Sequence, residues 1–228
     1  MVFENLQFPK RIYHTTSDYN ERIEVFQAGK TRSLAVNNSV QSTNWDSPFV
    51  KKRVWGKMVD FVKEQRPEAT SVLILGLGGG TVCHLFSKEM PKLQMVVVEI
   101  DKVMIDVAKE FFDLDEITNL KVICADAFRI ISEPEKFDLH PSSFDVVIVD
   151  FYCGDKYPEL ATSGGFLIGI KRFVRPGGLI VFNRVYYGHH QRDVDEFYDL
   201  IKEAYGNVGN VAIPGRTNSD NILIYAEV

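Results

Sequence analysis

Val72-Leu73-Ile74-Leu75-Gly76-Leu77-Gly78-Gly79-Gly80-Thr81, followed by Met95-Val96-Val97-Val98-Glu99-Ile100-Asp101, decides the fold. The first four residues read as a buried strand and the glycines as a strand-to-helix turn. The valines read as a second buried strand that ends in an acid. Glycines let a backbone approach a ligand with no Cβ in the way. An acid about twenty residues beyond such a turn can accept both hydroxyls of a ribose. The unit therefore reads as a nucleoside-binding half-site.

The pattern continues outward. After a helix near 80–90 and strand 95–99 come a helix near 102–112 and strand 121–124. A short helix near 126–132, strand 145–149, a helix near 163–174, strand 179–183 and a helix near 191–204 follow. Short apolar strands alternating with helices predict an α/β fold, a doubly wound, mostly parallel sheet covered on both faces. The end breaks the rule. Segments 208–213 and 221–226 are strand-like with only a polar loop between them, so they pair antiparallel. A terminal hairpin completing a seven-stranded sheet resembles the S-adenosylmethionine-dependent methyltransferase type of Rossmann fold. Upstream, 10–45 reads as short strands, with 22–26 and 33–36 separated by turns at Ala28-Gly29-Lys30 and Asn37-Asn38. This β-meander is too small for a core of its own and is expected to pack on the main domain or on another subunit. The expected division is a β-strand region at 1–48 and a Rossmann domain at 49–228, opening with a helix over 49–65.

The chain has 228 residues, 45% hydrophobic and 25% charged, with a net charge of -5. Its cations are scattered, so no basic stripe for nucleic acid is present. No run reaches the roughly 18 apolar residues of a membrane span. Met1 to Asn5 carries no basic, apolar leader, and a cytoplasmic location is expected. Cys83, Cys124 and Cys153 form no CxxC pair, so neither a disulfide framework nor a metal site is expected.

Three acids stand at successive strand ends: Glu99, Asp126 and Asp150. Glu99 is the candidate ribose ligand and Asp101 the candidate cap of the next helix. Asp126 can accept from an adenine amino group or cap the helix that follows. Beyond Asp150, the irregular segment 151–165 contains Asp155, a candidate general base beside Asp150. His189 and His190 precede a helix and read as surface residues. A nicotinamide dinucleotide fits less well, because Thr81 stands where its fingerprint wants Gly or Ala.

At these residues the chain resembles the spermidine synthases, aminopropyltransferases on the methyltransferase-like fold. Tyr19 to Val25 is similar to that family's YQ-x-I-x-V strand, and Val36 to Gln41 to its LDGxxQ hairpin. Glu99-Ile100-Asp101 is similar to its EID signature, Asp126-Ala127 to its adenine site, and Asp150 to the first acid of its D-[ST]-[ST]-D-P loop. The resemblance implies S-adenosylmethionine or its decarboxylated form as co-substrate. It implies a binding set of Gln41, Gly76, Gly78, Gly79, Gly80, Glu99, Ile100, Asp126, Ala127 and Asp150, a polyamine-like small-molecule acceptor, and a homodimer.

The departures bear on function. Gly79 replaces the aspartate of the family's GGGDG loop, which grips the amino group of the decarboxylated nucleoside. That aspartate would repel the carboxylate of the intact one. Cys153 replaces the amine-activating aspartate, so Asp155 could serve only if the loop shifts. Asp46 is kept, Val50 stands where a tyrosine is expected, and Asn183 replaces a glutamine. The nucleoside site is kept and the amine site eroded. Aminopropyl transfer leads. Methyl transfer to a small acceptor and a non-catalytic nucleoside-binding role are the alternatives.

Overall fold

Alternation along one strand explains how the two faces of the main sheet are covered. In β5 (Ser71–Leu75), Val72 and Ile74 belong to one apolar layer and Leu73 and Leu75 to the other. The first layer includes Met58 and Val62 of α1 (Val54–Gln65) and Phe86 of α2 (Thr81–Glu89). The second includes Phe166 and Ile170 of α5 (Gly164–Lys171) and Phe197 and Ile201 of α6 (His190–Tyr205). Every strand buried between helices must be apolar on both sides, and this is why the sequence shows continuous runs there. The computed structural model describes residues 8–152, 156–188, 190–215 and 220–228.

The remaining strands of this sheet are β6 (Gln94–Glu99), β7 (Leu120–Cys124), β8 (Phe144–Val149), β9 (Val174–Val185), β10 (Val208–Ile213) and β11 (Asn221–Glu227). Their order is β10-β11-β9-β8-β5-β6-β7. The pairs from β9 to β7 are parallel, while β11 pairs antiparallel with both β9 and β10. The expected seven-stranded sheet with its terminal hairpin is therefore present. Helices α3 (Lys102–Phe112) and α4 (Ala127–Ser132) complete the crossovers.

Four antiparallel strands form the N-terminal sheet in the order β1 (Lys10–Thr15), β2 (Ile23–Ala28), β3 (Thr31–Val36) and β4 (Ser39–Thr43). Ile23, Val25, Leu34 and Val36 of this sheet pack on Met104, Val107 and Phe112 of α3. The meander thus borrows its core from the Rossmann unit.

Several boundaries differ from expectation, and the helix expected near 163–174 ends at Lys171. The helix expected from residue 49 begins at Val54, after a 3-10 turn at Val50–Lys52. A Cβ on Gly56 would lie 2.4 Å from the Lys51 Cα, so the chain doubles back against this glycine rather than running straight into the helix. Strand β9 is longer than expected because Val174 already pairs with Phe144, through an irregularity before the regular ladder.

Asp101 ties the two sheets together. One carboxylate oxygen accepts from Val103 N at 2.9 Å and caps α3; the other accepts from Asn20 Nδ2 at 2.8 Å and from the Ser17 hydroxyl. The side chain is 2% exposed, so water does not replace a lost partner. Asp101→Ala should lower stability in urea unfolding by about 2–3 kcal/mol, one cap plus a stranded buried donor.

Candidate functional site

The sheet reverses direction between β5 and β8, since β6 and β7 extend one way and β9 the other. Ligands of open α/β sheets bind at such a switch point, outside the carboxyl ends of the strands. Here the chain is drawn tight. Gly76 has φ +100°, and a Cβ there would lie 2.3 Å from the Asp150 carbonyl oxygen. Backbone bonds continue across the strand ends. Gly76 N donates to Val98 O, Asp150 N to Leu75 O, and Ala125 N to Glu99 O, at 2.8, 2.8 and 3.0 Å.

These bonds set Asp126, Glu99, Gly76 and Asp150 along one edge, at the ends of β7, β6, β5 and β8. Three inter-strand steps span roughly 14 Å. Each acid also has a local duty that sequence reading left open. Glu99 accepts from Leu77 N and from Asp101 N, both at 3.0 Å, one on each oxygen. Burial raises its pKa, and the two amides oppose that rise. Each oxygen retains acceptor capacity beyond the one amide it holds. Asp126 caps α4 by accepting from Phe128 N at 2.8 Å. Asp150 accepts from Asn183 Nδ2 at 2.7 Å. Burial pushes the Asp150 carboxyl up to about 6, against the lowering effect of that bond. Ile100, 37% exposed, presents an apolar surface on the same edge.

The other wall comes from β4. Gly79 N donates to Ser42 Oγ at 2.7 Å, and the Thr81 hydroxyl donates to Thr43 O at 2.5 Å. The start of α2 is thus engaged by the protein's own strand. A cavity of about 670 Å³ opens between β4, the segment before α1, the glycine turn and the ends of β8, β9 and β11. Gln41, Gly76, Gly78, Val50, Asp150 and Asn183 line it. Among its described lining residues Asp150 is the one carboxylate, and Lys52 and Arg53 contribute positive charge. Glu99, Ile100, Asp126 and Ala127 do not line this cavity; they continue the edge beyond it. Gly79 and Gly80 lie buried behind the turn.

Asp155 and Cys153 lie outside the described residues, as does His189. His190 is the first residue of α6. Sequence reading missed Ser42, Thr43 and Tyr152. The Tyr152 hydroxyl donates to Asn183 O and accepts from Val185 N, both at 2.8 Å. No local motif marks these residues, because their partners are far along the chain.

A sequence profile of the spermine/spermidine synthase domain matches residues 52–227. The chain belongs to this family. It is 29% identical over 160 residues, 70% of this chain, to a probable polyamine aminopropyl transferase of Bifidobacterium longum. It is 30% identical over 120 residues, 50% of this chain, to an eEF1A lysine and N-terminal methyltransferase homolog of Drosophila pseudoobscura pseudoobscura. The chain spans only 34% and 17% of the length of these two relatives. The fold is that of spermidine synthase from Thermotoga maritima, with a TM-score of 0.74 at 16% identity, covering 96% of this chain and 72% of that one.

The departure at Gly79 has a steric basis. A Cβ at this position would stand 2.9 Å from Ser42 Cβ and 3.2 Å from the Phe112 ring. The space for the family's aspartate is filled by β4 and α3. Gly79→Asp should therefore lower the denaturation midpoint, and adding Ser42→Gly should recover part of the loss. Equal stability of wild type and Gly79→Asp in urea unfolding would refute the clash.

Proposed function

We propose that the protein is a transferase that takes an alkyl group from an adenosyl sulfonium and delivers it to a nucleophile in the cavity beside Asp150. Glu99 holds the ribose hydroxyls with its remaining lone pairs. Ile100, Asp126 and Ala127 receive the adenine, and Gln41 with the Gly76–Gly78 backbone borders the sulfonium side chain. The observation that carries this reading is the placement of Asp150. It is the one described carboxylate in the cavity, at the switch point, oriented by Asn183 and with its pKa raised to about 6.

The co-substrate supplies an electrophilic carbon whose bond pair stays on sulfur when the group is transferred. Asp150 removes the proton that keeps the acceptor's lone pair occupied. A base poised near neutrality suits that task better than an ordinary aspartate. The walls fix the acceptor, and most of the rate comes from that positioning. Asp155 remains a second candidate base from the sequence. A dinucleotide is disfavoured, because β4 occupies the helix start where a pyrophosphate would bind.

Family membership favours aminopropyl transfer from the decarboxylated nucleoside. The second reading, methyl transfer from the intact one, is favoured by the filled space at Gly79 and the positive charge of Lys52 and Arg53, which suit a carboxylate. A homodimer would use the N-terminal sheet, whose outer strand β1 is mostly exposed.

Calorimetry with S-adenosylmethionine, its decarboxylated form and methylthioadenosine tests the site. At least one should bind, and Glu99→Gln should weaken it about tenfold. Absence of binding to all three sinks the proposal. Release of methylthioadenosine or of S-adenosylhomocysteine then identifies the group transferred.

The pH dependence is a separate check. Activity needs ionised Asp150, so kcat/KM should rise through an acid limb near pH 6. Asp150→Asn should remove that limb and lower the rate on the order of 100-fold. Stability runs the other way. The folded carboxyl holds its proton to a higher pH than the unfolded one, so this residue's contribution declines as pH rises from about 4 to 6. Asp150→Asn should abolish that decline in pH-dependent urea unfolding.

A further inference from the structure

Beyond Tyr152 lies a second cavity of about 580 Å³. Arg184, near the end of β9, lines it and is only 5% exposed. The guanidinium carbon stands 3.9 Å from the centre of the Tyr157 ring and 4.4 Å from that of Phe197. Among the described residues, Nη1 of Arg184 has no hydrogen-bond partner, and neither has the buried hydroxyl of Tyr157. Among the described residues the arginines in ion pairs are Arg11, Arg66, Arg129, Arg175 and Arg192, so Arg184 has no carboxylate.

Such an arginine has lost hydration that no carboxylate among the described residues restores. The aromatic faces return part of it through cation–π attraction. They leave Nη1 unpaired, and a guanidinium edge matches a planar carboxylate through two parallel hydrogen bonds. The Tyr157 hydroxyl is a further donor of the same cavity. Around the mouth stand the exposed acids Glu159, Asp193 and Glu196, the last paired with Arg192 at 2.9 Å. With one of them paired and the exposed Lys156 also in the lining, the remaining acids suit an ammonium on the same ligand. Tyr152 and Val185 line both cavities, so this pocket adjoins the one that contains Asp150.

We propose that the Arg184 cavity binds the carboxylate of the acceptor substrate, which makes the acceptor a carboxylate-bearing amine rather than a polycation. The assignment of this ligand as the acceptor rests on the reading of Asp150 as the base. The carboxylate site itself rests on Arg184 and Tyr157.

Calorimetric titration of the full chain with 4-aminobutyrate, putrescine and inorganic phosphate tests it. 4-Aminobutyrate should bind at least tenfold more tightly than the other two. Arg184→Met should weaken it at least tenfold and Tyr157→Phe severalfold, with affinity for methylthioadenosine unchanged in both. Tighter binding of putrescine or phosphate, no binding of 4-aminobutyrate, or wild-type affinity in Arg184→Met would overturn the proposal. If circular dichroism shows Arg184→Met unfolded, Arg184→Lys and Tyr157→Phe decide. Lysine keeps the charge without the fork, so a loss in both supports the site and unchanged affinity in both overturns it. Failure of S-adenosylmethionine, its decarboxylated form and methylthioadenosine all to bind would remove the transferase reading and leave the carboxylate measurement to stand or fall alone.

Discussion

The close approach of three backbones at the glycine turn is the constraint on which the site depends. Gly76 runs against the carbonyl of Asp150, at a distance no Cβ tolerates. On its other side the turn meets β4, with Gly79 N donating to Ser42 Oγ and Thr81 to Thr43 O. Positive φ at Gly76, Gly78 and Gly80 lets the chain thread between these two neighbours. The first contact places Asp150 at the switch point. The second seats the N-terminal sheet against the Rossmann unit and closes one wall of the cavity.

That second contact changes the meaning of a substitution. From sequence, Gly79 looks like a vacancy that leaves the nucleoside pocket less selective. In the fold, the space is occupied by Ser42 and the Phe112 ring. The glycine is required by a neighbour that the family's aspartate would displace. Charge follows the same direction, since the cavity offers one described carboxylate and two basic residues. Relatives of this chain include both an aminopropyl transferase and a methyltransferase homolog.

The strand-end acids combine architecture with candidate chemistry. Asp126 caps α4, and Glu99 holds the glycine turn through Leu77 N while also accepting from Asp101 N. A carboxylate that organises its own turn is pre-oriented, so little further ordering is needed when a ligand donates to it. Asp150 differs. Its partner Asn183 is on the neighbouring strand, and burial raises the Asp150 pKa to about 6.

The sequence by itself determined the alternation of strands and helices, the glycine turn, the terminal hairpin and the acids at the strand ends. Those follow from periodicity and from residue types with local effects, such as glycine at positive φ or aspartate at a helix cap. The seven-stranded sheet and the capping by Asp101 were legible in this way, whereas the packing of the meander on α3 rather than on another subunit was not. Only the tertiary structure decided that Ser42 fills the space beside Gly79, that Asn183 orients Asp150, and that Arg184 lies buried between Tyr157 and Phe197 with no carboxylate partner among the described residues. These partners are separated by 37, 33 and 27 or 13 positions along the chain. Their proximity is set by strand order and packing, which local pattern does not encode.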